Sequence, residues 1–114
     1  MYLERGSHMY KKIPTWSGKS SFSYSGSILQ GTEIAYGNNQ KAYVSAEQYA
    51  GLLRKFKGQA VNVGTSRTVP PAGSVGEWLM ENVTRTAIAS YVGPILLEEG
   101  YAEKLGGPDI RFFI

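Results

Sequence analysis

Histidine and cysteine supply most nucleophiles, general bases and metal ligands, and this 114-residue chain holds no Cys and a single His, His8. His8 falls within MYLERGSHM, where Gly6-Ser7-His8-Met9 has the form of an expression-vector remnant joined to a native start near Met9. With residues 1–8 set aside as that remnant, neither side chain is left. Most nucleophile–base dyads, thiolate chemistry, disulfides and histidine- or cysteine-ligated metal sites are thereby removed. Catalysis would have to rest on Glu, Asp, Lys, Arg, Tyr or Ser, which disfavours an enzyme, and neither a metal nor a cofactor is expected.

The polar residues best grouped for chemistry lie in Gly64-Thr65-Ser66-Arg67-Thr68-Val69-Pro70-Pro71-Ala72-Gly73. Coming directly after the strand-like Ala60-Val61-Asn62-Val63, this loop could hold a phosphate with backbone amides, Thr65, Ser66 and Arg67. Glu77 or Tyr91 would then be the acid or base of a small enzyme. Glycine and hydroxyl residues serve a plain connector equally well. Ser17-Gly18-Lys19-Ser20 has the ending of a phosphate-binding loop, but Ile13 stands where that motif needs its first glycine, so a turn is expected. Pro108-Asp109 lacks the following acid and lysine of a nuclease core.

Charge divides the chain. From Met9 to Ala72 eight basic residues face Glu33 and Glu47, a balance of +6, whereas from Gly73 onward Arg85, Lys104 and Arg111 face six acidic residues, a balance of −3. A basic half suits nucleic acid or another anionic surface, and an acidic half suits a partner protein or the basic half of a second copy. Both halves are also compatible with ordinary solvated faces. No run of about 18 apolar residues occurs, so no membrane span or membrane partner is expected, and a cytoplasmic chain is the default.

The elements that would position these residues follow from periodicity. Between Ser20 and Leu29, Phe22, Tyr24 and Ile28 alternate with Ser21, Ser23, Ser25 and Ser27, the period of a half-buried strand; Gly26, on the apolar parity, predicts a bulge or close backbone approach. Strand-like Glu33–Tyr36 and Lys41–Val44 flank the turn Gly37-Asn38-Asn39-Gln40, giving an antiparallel meander to which Tyr10–Trp16 adds an edge weakened by Pro14. Ser45-Ala46-Glu47-Gln48 is a capping box, and Tyr49, Leu52, Leu53 and Phe56 follow at helical spacing up to Gly58. Arg54, Lys55 and Lys57 suit the negative end of that helix. Ser74-Val75-Gly76-Glu77 is a second capping box before a short helix. The stripe Ile88, Tyr91, Val92, Ile95 and Leu96 predicts another, which Pro94 should kink or divide because it has no amide for the Ser90 carbonyl. Strand, turn and strand complete the chain. The fold class expected is α+β, one domain over residues 9–114, with strands mostly in 9–44.

From Ser45 the order is helix, strand, helix, turn, helix and hairpin, and SVGEWLMENVTRTAIASYVGPILLEEGYAEK resembles the helix-turn-helix and wing entry of winged helix-turn-helix domains. The likeness covers residues 45–114. It implies that the second helix of the pair enters a DNA major groove and that the hairpin touches phosphate or minor groove. Carried over, Thr84, Arg85, Thr86 and Ser90 would read the nucleic acid, Lys104 and Arg111 would belong to the wing, and Arg54, Lys55, Lys57 and Arg67 would meet backbone phosphate. This chain departs from that pattern in having no Lys or Arg from Thr86 to Leu97, and in following that stretch with Glu98-Glu99.

Three function classes stay open. The leading expectation is a small nucleic-acid-binding module, with DNA ahead of RNA. The alternative is a non-catalytic protein-interaction or homodimer module, favoured by the charge division and eight tyrosines. The third is an anion-binding protein or enzyme using Thr65, Ser66 and Arg67.

Overall fold

Alternating serines and aromatics over residues 21–27 build the second strand of a meander. The computed structural model describes residues 9–114, so the expected remnant 1–8, with His8, lies outside the described residues. Four strands, β1 (Lys11–Pro14), β2 (Ser21–Ser27), β3 (Gly31–Tyr36) and β4 (Gln40–Ser45), pair antiparallel in chain order. Tyr24 lies opposite Lys11 on one side and Ile34 on the other, and Ile34 lies opposite Ala42. Phe22, Tyr24, Ile34, Ala42 and Val44 are buried on one face, while Ser21, Ser23 and Ser25 take the other. Gly26 has φ +88°, and a Cβ there would collide with the Gly31 carbonyl oxygen, so the expected close approach is real and only glycine meets it.

Helix α1 (Ala46–Phe56) begins at the expected capping box with both halves formed: the Gln48 amide donates to Ser45 Oγ at 3.0 Å, and the Ser45 amide donates to Gln48 Oε1 at 2.9 Å. Tyr49, Leu52 and Phe56 are its buried face, and Gly58 turns the chain away at φ +70°.

Then come β5 (Ala60–Asn62), α2 (Val75–Asn82), α3 (Ala89–Glu98), β6 (Ala102–Gly106) and β7 (Asp109–Phe112), with β7 between β5 and β6 in a three-stranded antiparallel sheet. The α+β class, the meander and the helix, strand, helix, helix, hairpin order all stand as expected. One local expectation is corrected and another narrowed. The second capping box is half formed, because Glu77 Oε1 accepts from the Gly73 amide at 2.8 Å while the Ser74 amide donates to the Pro71 carbonyl. Pro94 does not divide its helix: α3 runs unbroken past it, and the Ser90 carbonyl that it leaves without a partner accepts the Trp16 amide at 3.0 Å.

That bond is one of several joining the meander to the rest. Both sheets and all three helices contribute to one hydrophobic cluster, with Tyr49, Phe56, Phe112, Ile34, Leu79, Ile95 and Ile110 fully buried. Within it the Tyr49 and Thr32 hydroxyls bond at 2.7 Å, leaving neither polar group stranded. At the rim of the cluster Tyr24 Oη donates to Glu99 Oε2 at 2.8 Å, and Glu99 Oε1 accepts from the Ile28 amide at 3.2 Å. Among the described residues no helix is long and apolar enough to cross a membrane.

Candidate functional site

Loop 64–73 is anchored where it leaves β5 and where it enters α2. Gly64 (φ +73°) packs so closely on Ser74 and Gly76 that a Cβ on it would collide with the Ser74 side chain, and the Gly76 amide donates to the Val63 carbonyl at 2.9 Å. At the far end Glu77 Oε1 holds the Gly73 amide. Ser66 Oγ accepts from the Thr68 and Val69 amides at 3.3 and 3.1 Å, a hydroxyl turn that throws Arg67 and Thr68 outward. Ser66 thus shapes the loop as an acceptor, with its O–H still a donor.

The turn between α2 and α3 is organised in the same way. The Thr84 amide donates to the Leu79 carbonyl at 3.1 Å, and Thr84 Oγ1 accepts from the Thr86 amide at 3.3 Å. Ile88, at the N-cap of α3, is buried and gives no side-chain cap, its burial serving the core. Arg85 is left pointing into solvent.

These two segments meet. Arg67 and Thr68 from the loop, with Met80, Glu81 and Asn82 from α2 and Val83, Thr84 and Arg85 from the turn, line an open cleft of about 830 Å³. Two exposed guanidinium groups face one carboxylate there, Glu81, so the cleft has an excess of positive charge. Its rim is braced by Asn82, whose Nδ2 donates to the Trp78 carbonyl at 2.9 Å and whose own carbonyl accepts from Gln48 Nε2 at 3.3 Å. Guanidinium forks and threonine hydroxyls are donors suited to phosphate or carboxylate oxygens. Nearby, Tyr91 stacks on Tyr36 with ring centroids 4.7 Å apart. Burial and then Tyr36 push the Tyr91 hydroxyl above its ordinary pKa, against the opposing pull of Arg67.

The other expected contact residues are dispersed. Arg54 and Lys57 flank a second, more apolar groove of about 580 Å³ with Leu53, Tyr101 and Phe113, and Lys55 lines a smaller one of about 300 Å³ beside Glu77 and Glu81. Arg111 forks onto Glu103 Oε2 through Nε at 2.9 Å and through Nη2 at 2.6 Å. Lys104 Nζ donates to the Trp16 carbonyl at 2.7 Å and lies over the Trp16 ring, 4.6 Å from its centroid. Ser90 is half-buried under Trp16, and along α3 only Glu98 is exposed, its carboxylate paired with Lys11 at 3.0 Å. Thr65 and Thr86 are exposed outside the cleft lining.

Sequence reasoning overlooked Trp16, which ties α3 to the β6–β7 hairpin through its amide, its ring and a bond from Nε1 to the Gly107 carbonyl at 3.0 Å. The signal that could have found it was the Ser90 carbonyl orphaned by Pro94. It also overlooked the Thr68 and Asn82 rim. Glu77, a candidate acid or base, is committed to the Gly73 amide. Among the described residues no three His, Cys, Asp or Glu side chains gather as metal ligands would. No protein-family model, curated protein or solved structure matches the chain.

Proposed function

We propose that this chain is a nucleic-acid-binding module of winged-helix type that grips backbone phosphate, DNA ahead of RNA, in the cleft between loop 64–73 and the α2–α3 turn. The observation that carries the reading is the convergence of Arg67 and Arg85, from separate segments, on one open cleft beside Thr68 and Thr84. Forked donors with neighbouring hydroxyls suit phosphate oxygens, whereas α3, covered by Trp16 and the meander, offers little surface to a major groove. The element order from α1 to β7, with β7 central in its sheet, supports the winged-helix half of the reading. Phosphate contacts position a protein without reading bases, so modest sequence preference is expected.

Fluorescence anisotropy against labelled duplex DNA, single-stranded DNA and RNA, at low and moderate salt, tests it. The expected result is binding whose logarithm falls linearly with log salt, with a slope reduced by about 1 in Arg67→Ala and again in Arg85→Ala. Absence of binding at low salt, or affinity indifferent to both substitutions, would overturn it.

A further inference from the structure

The open groove of about 580 Å³ lies between the last turn of α1, the turn from α3 into β6 and the end of β7, with Leu53, Tyr101 and Phe113 as its apolar wall and Arg54 and Lys57 beside them. Leu53 and Tyr101 rest partly on the core, and Phe113 is 47% exposed. Backbone bonds fix the wall. The Tyr101 amide donates to the Leu96 carbonyl at 2.9 Å, the Phe113 amide to the Tyr101 carbonyl at 3.0 Å, and the Phe112 amide to the Gln59 carbonyl at 2.9 Å. Phe56 of α1 and Phe112 of β7 stack with ring centroids 5.3 Å apart, which ties one side of the groove to the other. The concavity is therefore built into the fold, at a volume within the range of small-molecule sites, about 300–1,000 Å³.

We infer that this groove binds a small amphipathic carboxylate, its aliphatic or aromatic body against Leu53, Tyr101 and Phe113 and its carboxylate between Arg54 and Lys57. Charge identifies the occupant. The exposed cations Lys11, Lys41 and Arg111 each hold a carboxylate of their own, at 3.0, 2.8 and 2.6 Å. Among the described residues Arg54 and Lys57 have no ion-pair or hydrogen-bond partner, and no acidic side chain lines the groove. Both are exposed and lie three residues apart, neighbours on the helix surface. Two acceptors at the negative end of α1 are covered by Gln59, whose amide donates to the Phe56 carbonyl at 2.8 Å and whose Nε2 donates to the Lys55 carbonyl at 3.0 Å, so the two cations set the sign of the site. A neutral apolar ligand would leave both cations unused, and a bare anion would leave the apolar wall in water; a molecule carrying both parts satisfies both. A stable protein interface needs about 1,000 Å² of buried surface, whereas this concavity has the dimensions of a small ligand. The groove shares no lining residue with the Arg67–Arg85 cleft, so the inference does not rest on nucleic-acid binding.

Backbone-amide NMR titration of the full chain with octanoate, octanol and octyltrimethylammonium tests the inference, because the three probes share a tail and differ in charge. Octanoate should shift the amides of Gly100, Tyr101 and Phe113 saturably and bind about fivefold more tightly than octanol, with the cation weakest. Shortening the tail to hexanoate should weaken binding by up to about fourfold for each methylene removed. Arg54→Gln combined with Lys57→Gln should bring octanoate down to the level of octanol, while Phe113→Ser, at an exposed position outside the buried core, should weaken both probes alike and leave the thermal transition in place. No saturable shift at those three amides, shifts confined to the Arg67–Arg85 cleft, equal binding of octanoate and octanol to the unaltered chain, or octanoate affinity indifferent to Phe113→Ser would overturn it.

Discussion

The amide of Trp16 donates at 3.0 Å to the carbonyl of Ser90, the residue four places before Pro94. A helical proline leaves that carbonyl without its usual donor, and a buried acceptor left alone costs about 1–3 kcal/mol. Here the vacancy is filled from 74 positions away in sequence by the loop after β1. Gly93 supplies the adjoining seat: a Cβ on it would stand 2.8 Å from Trp16 Cε3 and 3.0 Å from Val63 Cγ2. The Gly93-Pro94 pair, which reads as a defect in a helix, is a docking seat for the meander.

Trp16→Ala should therefore destabilise the protein by about 3–5 kcal/mol through loss of the ring, since the backbone bond to Ser90 can persist. Urea denaturation measures the loss. Trp78→Phe provides a background in which Trp16 is the lone indole, and its emission should shift to the red as the meander detaches.

Gly93→Ala raises intrinsic helix propensity by about 1 kcal/mol, yet it should lower stability by about 1–3 kcal/mol, because the new methyl overlaps Trp16 and Val63. A higher melting temperature in this variant would show the seat to be looser than described.

Lys104 and Arg85 are separable by the same salt titration. Lys104 is held by the Trp16 carbonyl and ring, so Lys104→Ala should lower the melting temperature and leave the salt slope of nucleic-acid binding unchanged. Arg85, exposed in the cleft, should do the reverse. Equal slope changes in both would place phosphate on the hairpin as well.

Tyr24 and Tyr49 set an alkaline limit. Burial, and for Tyr24 also the bond to Glu99, pushes both hydroxyls well above their ordinary value of 10.0. The folded state holds the proton more tightly than the unfolded chain. Their contribution is therefore complete below about pH 10 and is lost as pH rises through that value toward the folded pKa. Melting temperatures should fall across that window, and Tyr24→Phe should flatten the fall.

Ser45→Ala removes one half of a complete capping box and should cost about 1 kcal/mol, read as a lower urea midpoint with an unchanged slope.

The elements themselves were legible in the residues. Alternation over 21–27 and the capping box at Ser45 are local signals, set by neighbours within a turn or a strand, and local physics decides them. The cleft was legible only in pieces. Arg67, Thr84 and Arg85 were each singled out, but nothing in the spacing said that loop 64–73 folds back on α2 until Gly64 meets Ser74 and Gly76.

What the residue pattern settled without help was the α+β class, the order of strands and helices, and the division of charge, because these depend on periodicity, caps and composition. Which cations stay free depended on contacts between distant segments. Lys104 and Arg111 are equally basic in sequence, yet one is drawn onto Trp16 and the other onto Glu103, while Arg67 and Arg85 face solvent together. Long side chains take their partners from whatever packing brings within reach, and that proximity exists only once both sheets close on a common core.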